Sequence, residues 1–428
     1  MKDGRTYVGF GFGAIQAGLF VYEAWRSGRF RRLVVAEVMP EVVAAVRAHK
    51  GLFALNVVTA DGVGRHEVGP VDIFNPLVAE DRRCLVEALA EADEIGTALP
   101  SVACYSTQQP GNVADLLAEG LQRKSLDRAL PASVVYTAEN HNRAAEMLTD
   151  AVQSLSGIPL SVMRTEILNT VIGKMSGVVT DGCQLREQNL LPMTPCFERA
   201  FLVESFNRIL IARIRMPGFQ RGIEVFDEKD DLLPFEEAKL YGHNATHALI
   251  GYLLRERGAT YMSDAASMPQ LLEFARQAFL EESGGALCRK YGGLDPLFTR
   301  QGYHAYVDDL LTRMTNVHLR DTVERITRDT RRKLGWDDRL VGTMRLALAN
   351  GIEPTRYAQG AAAAVRRLAA ETATAPADVL DSLWTDHAAE PERQRMHSLV
   401  TAALCAQTGI QQSDRTRADC DPARPVHP

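Results

Sequence analysis

The segment 239–247 places an amine, an amide and two imidazoles along little more than two helical turns. At about 100° per residue, Lys239, His243 and His247 fall on one face of a helix, and Asn244 lies beside that face. A lysine with a lowered pKa can take the proton of a hydroxyl group, and an asparagine amide can stabilise the resulting oxygen. His247 could orient the lysine or the substrate. A solvated polar face would have the same spacing, so this chemistry depends on a cofactor site elsewhere in the chain.

His243 and His247 are also spaced by four residues, as paired histidine ligands of zinc are on a helix. No glutamate follows His243, as one does in the helical motif of metalloproteases, and no third ligand is indicated. We therefore expect an enzyme without a metal ion.

A candidate cofactor site lies near the start of the chain, where an apolar run enters a glycine-rich turn. Gly11 permits a tight turn, and Gly13 lets the backbone amides of Ala14 and Ile15 approach a pyrophosphate at a helix N-terminus. The third glycine of the usual pattern is replaced by Gln16. The pattern predicts a strand, a phosphate-binding turn and a helix.

A second predicted strand, residues 32–37, ends in the carboxylate of Glu37 about twenty residues after the glycines. This carboxylate can accept hydrogen bonds from the adenosine ribose hydroxyls. It would repel a 2′-phosphate, so NAD is favoured over NADP. An exposed glutamate at a strand end is the alternative.

Strands and helices alternate through the first half of the chain, which predicts a doubly wound, mostly parallel sheet. Residues 55–59 and 66–74 read as an additional hairpin. Ser106 and Asn140 follow predicted strands, where ligands of such sheets gather, although either could cap a helix. We expect Ser106 and Asn140 to contact the cofactor.

The pattern changes beyond residues 192–195, where apolar residues recur at helical spacing. The predicted helices are 201–214, 235–255, 268–291, 302–315, 319–333, 339–350 and 354–369. The expected fold is an α/β, Rossmann-like N-terminal domain (1–195) followed by a mainly α-helical C-terminal domain (196–410). Residues 411–428 contain almost no apolar side chains and are predicted to be disordered.

The motif Lys-x4-Asn-x2-His, formed by Lys239, Asn244 and His247, resembles that of the polyol-specific long-chain dehydrogenases, the mannitol dehydrogenase family. The resemblance covers roughly residues 5–370 and includes the segments 284–292, 318–326 and 332–340. These three segments look more like the mannitol-1-phosphate branch of the family.

The resemblance implies a two-domain enzyme that oxidises a secondary alcohol with NAD(P) and no metal. It implies that Lys239 is the general base, that Asn244 stabilises the reacting oxygen and that His247 binds or orients the substrate. Asn140 corresponds to part of a strand-end acidic-Asn pair and is expected near the nicotinamide or the substrate. A catalytically inactive NAD-binding sensor of the same fold is the alternative.

The segment from Asn169 to Lys174 departs from the family, because it stands where members often carry an Asp-Arg pair near the substrate, with Gly173 and Lys174 in place of that pair. A related sugar or cyclitol derivative is therefore an alternative substrate. Lys174, Arg332, Lys333 and Arg339 could instead supply a phosphate pocket. We expect interconversion of a sugar-alcohol phosphate, such as mannitol 1-phosphate, with fructose 6-phosphate.

The composition of the 428 residues excludes several classes of protein. The net charge of -6 argues against a general electrostatic grip on nucleic acid, and no apolar stretch approaches the roughly 20 residues that span a bilayer. A secretory signal is not indicated, and the seven cysteines form no Cys-x-x-Cys pair. We expect a cytoplasmic enzyme, either a monomer or a small homo-oligomer, whose partner is a small molecule.

Overall fold

The computed structural model describes residues 4–107, 112–206, 208–387 and 391–406. The chain forms two compact units, the first ending at Leu233 and the second beginning at Pro234. This division corrects the boundary predicted at residues 192–195, because strands between residues 200 and 229 pair with strands from earlier in the chain. The predicted tail, 411–428, lies outside the described residues.

The strands of the first unit belong to two sheets. Within the described residues they are β1 (Arg5–Phe10), β2 (Phe30–Ala36), β3 (Phe53–Val58), β4 (Val63–Val68), β5 (Asp72–Phe74), β6 (Glu94–Thr97), β7 (Ser133–Thr137), β8 (Thr165–Val171), β9 (Ser176–Val179), β10 (Ala200–Glu204), β11 (Ile209–Ala212) and β12 (Phe226–Lys229).

The larger sheet has the order β12-β11-β8-β7-β6-β1-β2-β5 across the described chain. Strands β5, β2, β1, β6, β7 and β8 are parallel, and β11 joins β8 in the antiparallel direction. Taken in chain order, the parallel strands follow the 3-2-1-4-5-6 arrangement of dinucleotide-binding folds. The predicted doubly wound sheet is confirmed.

The smaller sheet has the order β4-β3-β10-β9 among the described residues. The antiparallel pair of β3 and β4 confirms the predicted hairpin. Its second arm was predicted too long, because Asp72–Phe74 forms β5 of the larger sheet. The helix predicted at 201–214 is wrong, because these residues form β10 and β11, whose apolar side chains are buried in the sheets.

Both faces of the larger sheet are covered by apolar side chains. Tyr7 belongs to one hydrophobic cluster, and the next residue, Val8, belongs to another. Val134 and Val135 of β7 divide between the same two clusters. This alternation is expected of strands that are buried on both faces, and it leaves the carboxyl ends of the strands as the edge at which polar groups can gather.

Helices connect the strands of the first unit. They are α1 (Tyr22–Ser27), α2 (Pro40–Ala48), α3 (Ala79–Glu91), α4 (Val113–Leu126), α5 (Ala144–Ser156) and α6 (Gly182–Glu187), with a π-helical segment, Gln16–Val21, before α1. The predicted helix start near residue 112 has a cap, because the side chain of Asn112 accepts the N–H of Asp115 at 3.0 Å.

The second unit is helical over its described residues, as predicted. From the junction onward its helices are α7 (Leu233–Glu237), α8 (Ala245–Arg255), α9 (Pro269–Gln277), α10 (Gly285–Tyr291), α11 (Arg300–Met314), α12 (Val323–Thr327), α13 (Thr330–Lys333), α14 (Val341–Ala349), α15 (Thr355–Thr372), α16 (Pro376–Ser382) and α17 (Pro391–Cys405). Two π-helical segments, Ala238–Asn244 and Ala278–Gly284, link α7 to α8 and α9 to α10.

Candidate active site

The glycine-rich turn of the first unit joins β1 to its helix. Gly11 has a φ of +79°, and a Cβ there would lie 2.9 Å from the carbonyl oxygen of Ala98. Glycine is therefore required for this turn. A Cβ at Gly13 would meet nothing within 4 Å, so space is open beside the start of the helix. A pyrophosphate would need such space at this point of the fold.

The first turn of this helix contains Ala14 and Ile15. The N–H of Ala17 donates to the carbonyl of Gly13 at 2.9 Å, which makes it an intrahelical bond at the start of the helix. The N–H groups before Ala17 belong to the first turn, where an α-helix offers its donors to an anion. The predicted phosphate-binding role of Ala14 and Ile15 fits this placement.

Glu37 follows β2 directly and has a buried carboxylate. Its Oε2 accepts the N–H of Phe12 at 2.8 Å, and its Oε1 accepts the N–H of Met39 at 2.9 Å. The carboxylate therefore ties the end of β2 to the glycine-rich turn. A fixed negative charge at this strand end is suited to ribose hydroxyls and unfavourable for a phosphate.

The buried side chain of Gln16 explains the departure from the three-glycine pattern. Its Nε2 donates to the hydroxyl of Tyr7 at 2.7 Å. A Cβ on Gly9 would lie 1.9 Å from that Nε2, so Gly9 provides the room that the side chain occupies. Gly18 provides the close approach on the next turn, because a Cβ there would lie 2.5 Å from Val203.

Ser106 and Asn140 are both exposed and lie beyond the ends of β6 and β7. Glu139, the residue before Asn140, is buried, and no role was predicted for it. Its carboxylate accepts hydrogen bonds from Thr97 Oγ1 at 2.8 Å, Leu99 N–H at 2.8 Å and the hydroxyl of Tyr105. Glu139 thus joins the carboxyl ends of two parallel strands, and Asn140 follows this anchor directly. The cofactor contacts of Ser106 and Asn140 stay predictions.

In the second unit, Lys239 and Asn244 lie within the π-helical segment Ala238–Asn244. The sequence predicted an α-helix here. A π-helix bonds residues five apart, which is the spacing of Lys239 and Asn244, and single π-helical turns are frequent at functional sites. The aromatic side chain of Phe279 packs against this turn, since a Cβ on Gly242 would lie 2.8 Å from its ring.

Lys239 is half-buried, and its surroundings alter its acidity. Burial lowers the pKa of Lys239 to about 8, Glu236 opposes this change, and the guanidinium of Arg339 adds to it. Arg339 is itself held by Asp338, with Nε 2.8 Å from Oδ1. An amine with a pKa near neutrality can both accept and return a proton, which is the property required of a general base.

His247 is buried on the first turns of α8 and faces a carboxylate to which no role was predicted. Its Nε2 lies 3.3 Å from Oδ2 of Asp321, which also accepts two hydrogen bonds from Arg325 at 2.7 and 2.6 Å. Burial opposes ionisation of Asp321, but His247 and Arg325 outweigh it and lower its pKa to about 2. Asp321 is therefore a carboxylate that holds the imidazole from one side.

His243 is buried one helical turn before His247, and the two ring centroids are 6.0 Å apart. Burial lowers the pKa of His243 well below its usual value, and the electrostatic influence of four neighbouring groups lowers it further. These neighbours are His247, Arg313, Lys239 and Arg339. His243 is thus a neutral imidazole in a positively charged environment, which explains chemically why it is a poor candidate for a second base.

Two of the predicted substrate residues belong to the first unit and hold its structure together. Asn169 accepts the N–H of Ala145 at 2.8 Å and donates to Glu146 at 2.9 Å, so it caps α5. The buried Lys174 donates its Nζ to the carbonyl of Phe206 at 2.9 Å. Substrate contacts of Asn169 and Lys174 stay predictions, and both side chains also form hydrogen bonds that stabilise the first unit.

The other two predicted substrate residues belong to the second unit. Lys333 is buried, donates to the carbonyl of Arg328, and has a pKa lowered to about 8 by burial and by Arg339 and Arg332. Arg332 is exposed and lies 3.5 Å from Asp338. Within this predicted set, Arg332 is the exposed cation, whereas Lys333 is directed to the backbone.

The described part of the chain shows neither a metal-binding cluster nor a membrane-spanning helix. Those residues contain no cluster of three or more histidine, cysteine, aspartate or glutamate side chains suited to a metal ion. No helix among them is both long and apolar enough to cross a membrane.

The fold and these groups define a class of protein: a two-unit oxidoreductase with a doubly wound sheet and a helical unit that carries a lysine of lowered pKa. Residues 231–421 match the family described as mannitol dehydrogenase C-terminal domain. Mannitol-1-phosphate 5-dehydrogenase of Pseudarthrobacter chlorophenolicus is 30% identical over 336 residues, 76% of this chain and 79% of that protein. The protein of the same name from Bacillus pumilus is 29% identical over 78% of this chain and 81% of its own length.

The chain belongs to the mannitol dehydrogenase family. Solved structures share the fold at lower sequence identity. Pseudomonas fluorescens mannitol 2-dehydrogenase, in a ternary complex with NAD and D-mannitol, has a TM-score of 0.69 and 16% identity, covering 98% of this chain and 95% of that one. A substrate-free D-sorbitol dehydrogenase has a TM-score of 0.71 and 14% identity, covering 96% and 95%.

Proposed function

We propose that the protein catalyses the reversible, NAD-dependent oxidation of a secondary alcohol of a polyol to the corresponding ketose. The observation that carries this proposal is Lys239, a half-buried amine whose pKa is lowered to about 8 on a π-helical turn that also contains Asn244. The choice of a polyol as the substrate class rests on the names of the relatives.

The residues of the first unit fit a dinucleotide. The first-turn amides of Ala14 and Ile15 would hold the pyrophosphate beside Gly13, and Glu37 would accept the ribose hydroxyls. The fixed carboxylate of Glu37 supports NAD over NADP. A bound NAD supplies the hydride acceptor.

Three side chains of the second unit would then act on the alcohol group of the substrate. The neutral amine of Lys239 takes the hydroxyl proton during oxidation, and its ammonium form returns the proton during reduction. The Asn244 amide donates a hydrogen bond to the same oxygen as negative charge develops. His247, held by Asp321, orients the substrate.

A phosphorylated substrate is the preferred specificity, with mannitol 1-phosphate and fructose 6-phosphate as the pair to test. It is supported by the names of two relatives that are similar in sequence and by the guanidinium of Arg339, which influences Lys239. Charge-assisted hydrogen bonds from arginine suit a phosphate group.

An unphosphorylated polyol is the second candidate. It is favoured by the hydrogen bonds of Lys174 and Lys333 to backbone carbonyls. Both lysines belong to the group of cations predicted to bind a phosphate, and these bonds engage their amines within the protein.

The test is a nicotinamide absorbance assay with fructose 6-phosphate and fructose, each with NADH and NADPH. We expect the highest kcat/KM with fructose 6-phosphate and NADH. Equal values for the two sugars would remove the phosphate specificity, and a preference for NADPH would remove the assignment of Glu37. Nucleotide binding without turnover across a broad panel of ketoses and polyols would contradict the proposed dehydrogenase activity and favour an NAD-binding sensor.

A further inference from the structure

We infer that Asp321 is a positioning residue that fixes the tautomer of His247, so that Nε2 carries the proton and Nδ1 accepts a hydrogen bond from a substrate hydroxyl. This inference rests on the proposed function for the identity of the ligand. The assignment of the ring nitrogens is a property of the protein alone and can be measured without turnover.

The geometry singles out one ring nitrogen. His247 Nε2 is buried and forms no hydrogen bond of regular geometry within the described residues, but it lies 3.3 Å from Oδ2 of Asp321, within ion-pair distance. An ionised carboxylate has no proton to donate and can only accept hydrogen bonds, and the low pKa of Asp321 keeps it ionised at neutral pH. In a neutral imidazole, a proton on Nε2 leaves Nδ1 as an acceptor.

Asp321 is itself held rigidly by its backbone. Its carbonyl accepts the N–H of Met262 at 2.8 Å, and its neighbour Thr322 forms a bridge with Tyr261. Asp264 secures that second segment, because its Oδ2 accepts the N–H groups of residues 260 and 261 at 3.0 and 2.9 Å. The carboxylate is therefore presented to α8 from a fixed loop and does not depend on a flexible side chain alone.

The side chain of Asp321 is fixed as well. Arg325 binds both carboxylate oxygens from α12, one helical turn further on. The hydroxyl of Thr322 caps this helix by accepting the N–H of Arg325 at 3.2 Å. Two donors on one guanidinium define the plane of the carboxylate, and this plane directs Oδ2 toward His247.

The consequence for recognition is chemical. A polyol offers hydroxyl groups on the carbons beside the reacting one, and each hydroxyl can donate a hydrogen bond. An Nδ1 acceptor would bind such a donor, whereas Asn244 would donate to the reacting oxygen. The enzyme would thus distinguish the reacting oxygen, which accepts a hydrogen bond from Asn244, from the neighbouring hydroxyl, which donates one to His247. Asp321 would maintain this distinction by fixing the tautomer of His247.

A purely structural ion pair is the competing explanation, in which Asp321 only ties its loop to α8. Asp264 provides the control, because its carboxylate secures the segment that pairs with the Asp321 loop by accepting the N–H groups of Thr260 and Tyr261. Asp321→Asn and Asp264→Ala should both lower the Tm. If Asp321 positions His247, Asp321→Asn alone should also lower kcat/KM for fructose 6-phosphate, by about 10- to 100-fold. Asp321→Glu, which keeps the carboxylate, should recover part of that loss.

The direct experiment is long-range ¹H–¹⁵N NMR of the full chain at pH 8, with the His247 signals assigned by their loss in His247→Gln. We expect a protonated Nε2 and an unprotonated Nδ1 in the wild-type protein, and a mixture of tautomers in Asp321→Asn. A proton on Nδ1 of the wild-type protein would overturn the inference, even if the variant does not fold. Equal losses of kcat/KM in Asp321→Asn and Asp264→Ala would also overturn it.

Failure of the two proposals can be told apart. Wild-type protein without turnover on any ketose or polyol contradicts the proposed function, and the NMR result still decides the tautomer. An active enzyme with an unchanged kcat/KM and tautomer in Asp321→Asn contradicts the positioning role alone.

Discussion

Two lysines, one in each unit, both have a lowered pKa, but they differ in their surroundings. Lys124 of the first unit is fully buried, and burial lowers its pKa to about 7. Its Nζ donates to the carbonyls of Ala92 and Pro131, both at 2.7 Å. A neutral amine has two N–H groups and can satisfy both carbonyls, so this site is complete without a ligand.

Lys239 of the second unit has the less strongly lowered pKa, about 8, yet it is the better candidate for catalysis. It is half-buried, and it shares its π-helical turn with the amide of Asn244. A lowered pKa alone therefore does not identify a catalytic lysine. Access to a ligand and a neighbouring group that can bind the reacting oxygen are needed as well.

The largest expected effect separates the two lysines directly. Lys239→Met should lower kcat by about 10²- to 10⁴-fold, because the proton of the substrate loses its acceptor. Lys124→Met is the matched control and should leave kcat unchanged, since its amine serves only backbone carbonyls. Steady-state kinetics and NADH fluorescence titration of both variants provide the measurement. An active Lys239→Met enzyme would contradict the assignment.

The second effect concerns stability and belongs to Lys124. The unfolded chain binds a proton at this lysine up to its ordinary pKa of 10.5, whereas the folded protein releases the proton above about 7. Stability should therefore rise as the pH increases from 7 to 10, by at most about 1.4 kcal/mol per pH unit. Urea unfolding of the wild type and Lys124→Met should differ in this slope. Parallel curves would show that Lys124 does not titrate in this range.

A third experiment alters the nucleotide turn and keeps both lysines. Gly13→Val should weaken NADH binding at least about tenfold, or roughly 1.4 kcal/mol, because the side chain would enter the open space beside the helix. The fold should be unaffected, since a Cβ at Gly13 meets nothing within 4 Å. Gly177→Val, at an equally open position on β9, is the control for both Tm and NADH affinity. An unchanged NADH affinity in Gly13→Val would contradict the binding of the pyrophosphate at this turn.

The smallest effect tests the electrostatics around Lys239. Arg339→Met removes a cation that lowers the pKa of Lys239, so this pKa should move upward. The pH midpoint of kcat/KM for polyol oxidation should shift upward with it. Arg332→Met, which removes an exposed arginine bound to the same Asp338, is the control. Equal midpoints in wild type and Arg339→Met would exclude Arg339 as an influence on the lysine.

Features built from consecutive residues were predictable from the sequence. The glycine-rich turn, the strand that precedes Glu37 and the helical character of the second unit depend on local patterns of glycine and apolar spacing. The confirmed sheet follows from these patterns because parallel strands need helical crossovers. The helix predicted at residues 201–214 is wrong, because the strands Ala200–Glu204 and Ile209–Ala212 occupy this stretch.

Features that depend on distant residues were not predictable in this way. Asp321 lies in a segment that resembles the family, but its contact with His247 joins two parts of the chain that no spacing rule connects. The π-helical turn at Lys239 is supported by Phe279, which packs there from another helix. The hydrogen bonds of Lys174 and Lys333 to carbonyls were likewise invisible, because a sequence does not show which lysines are already engaged.

The role of Lys239 as the general base is best tested by the pH dependence of kcat/KM for oxidation and for reduction. If Lys239 is the general base with a pKa of about 8, oxidation of the polyol should rise with pH up to about 8 and then level off. Reduction of the ketose, which needs the ammonium form, should fall above the same pH. Profiles that are flat between pH 6.5 and 9.5, or that change in the same direction for both reactions, would contradict the account.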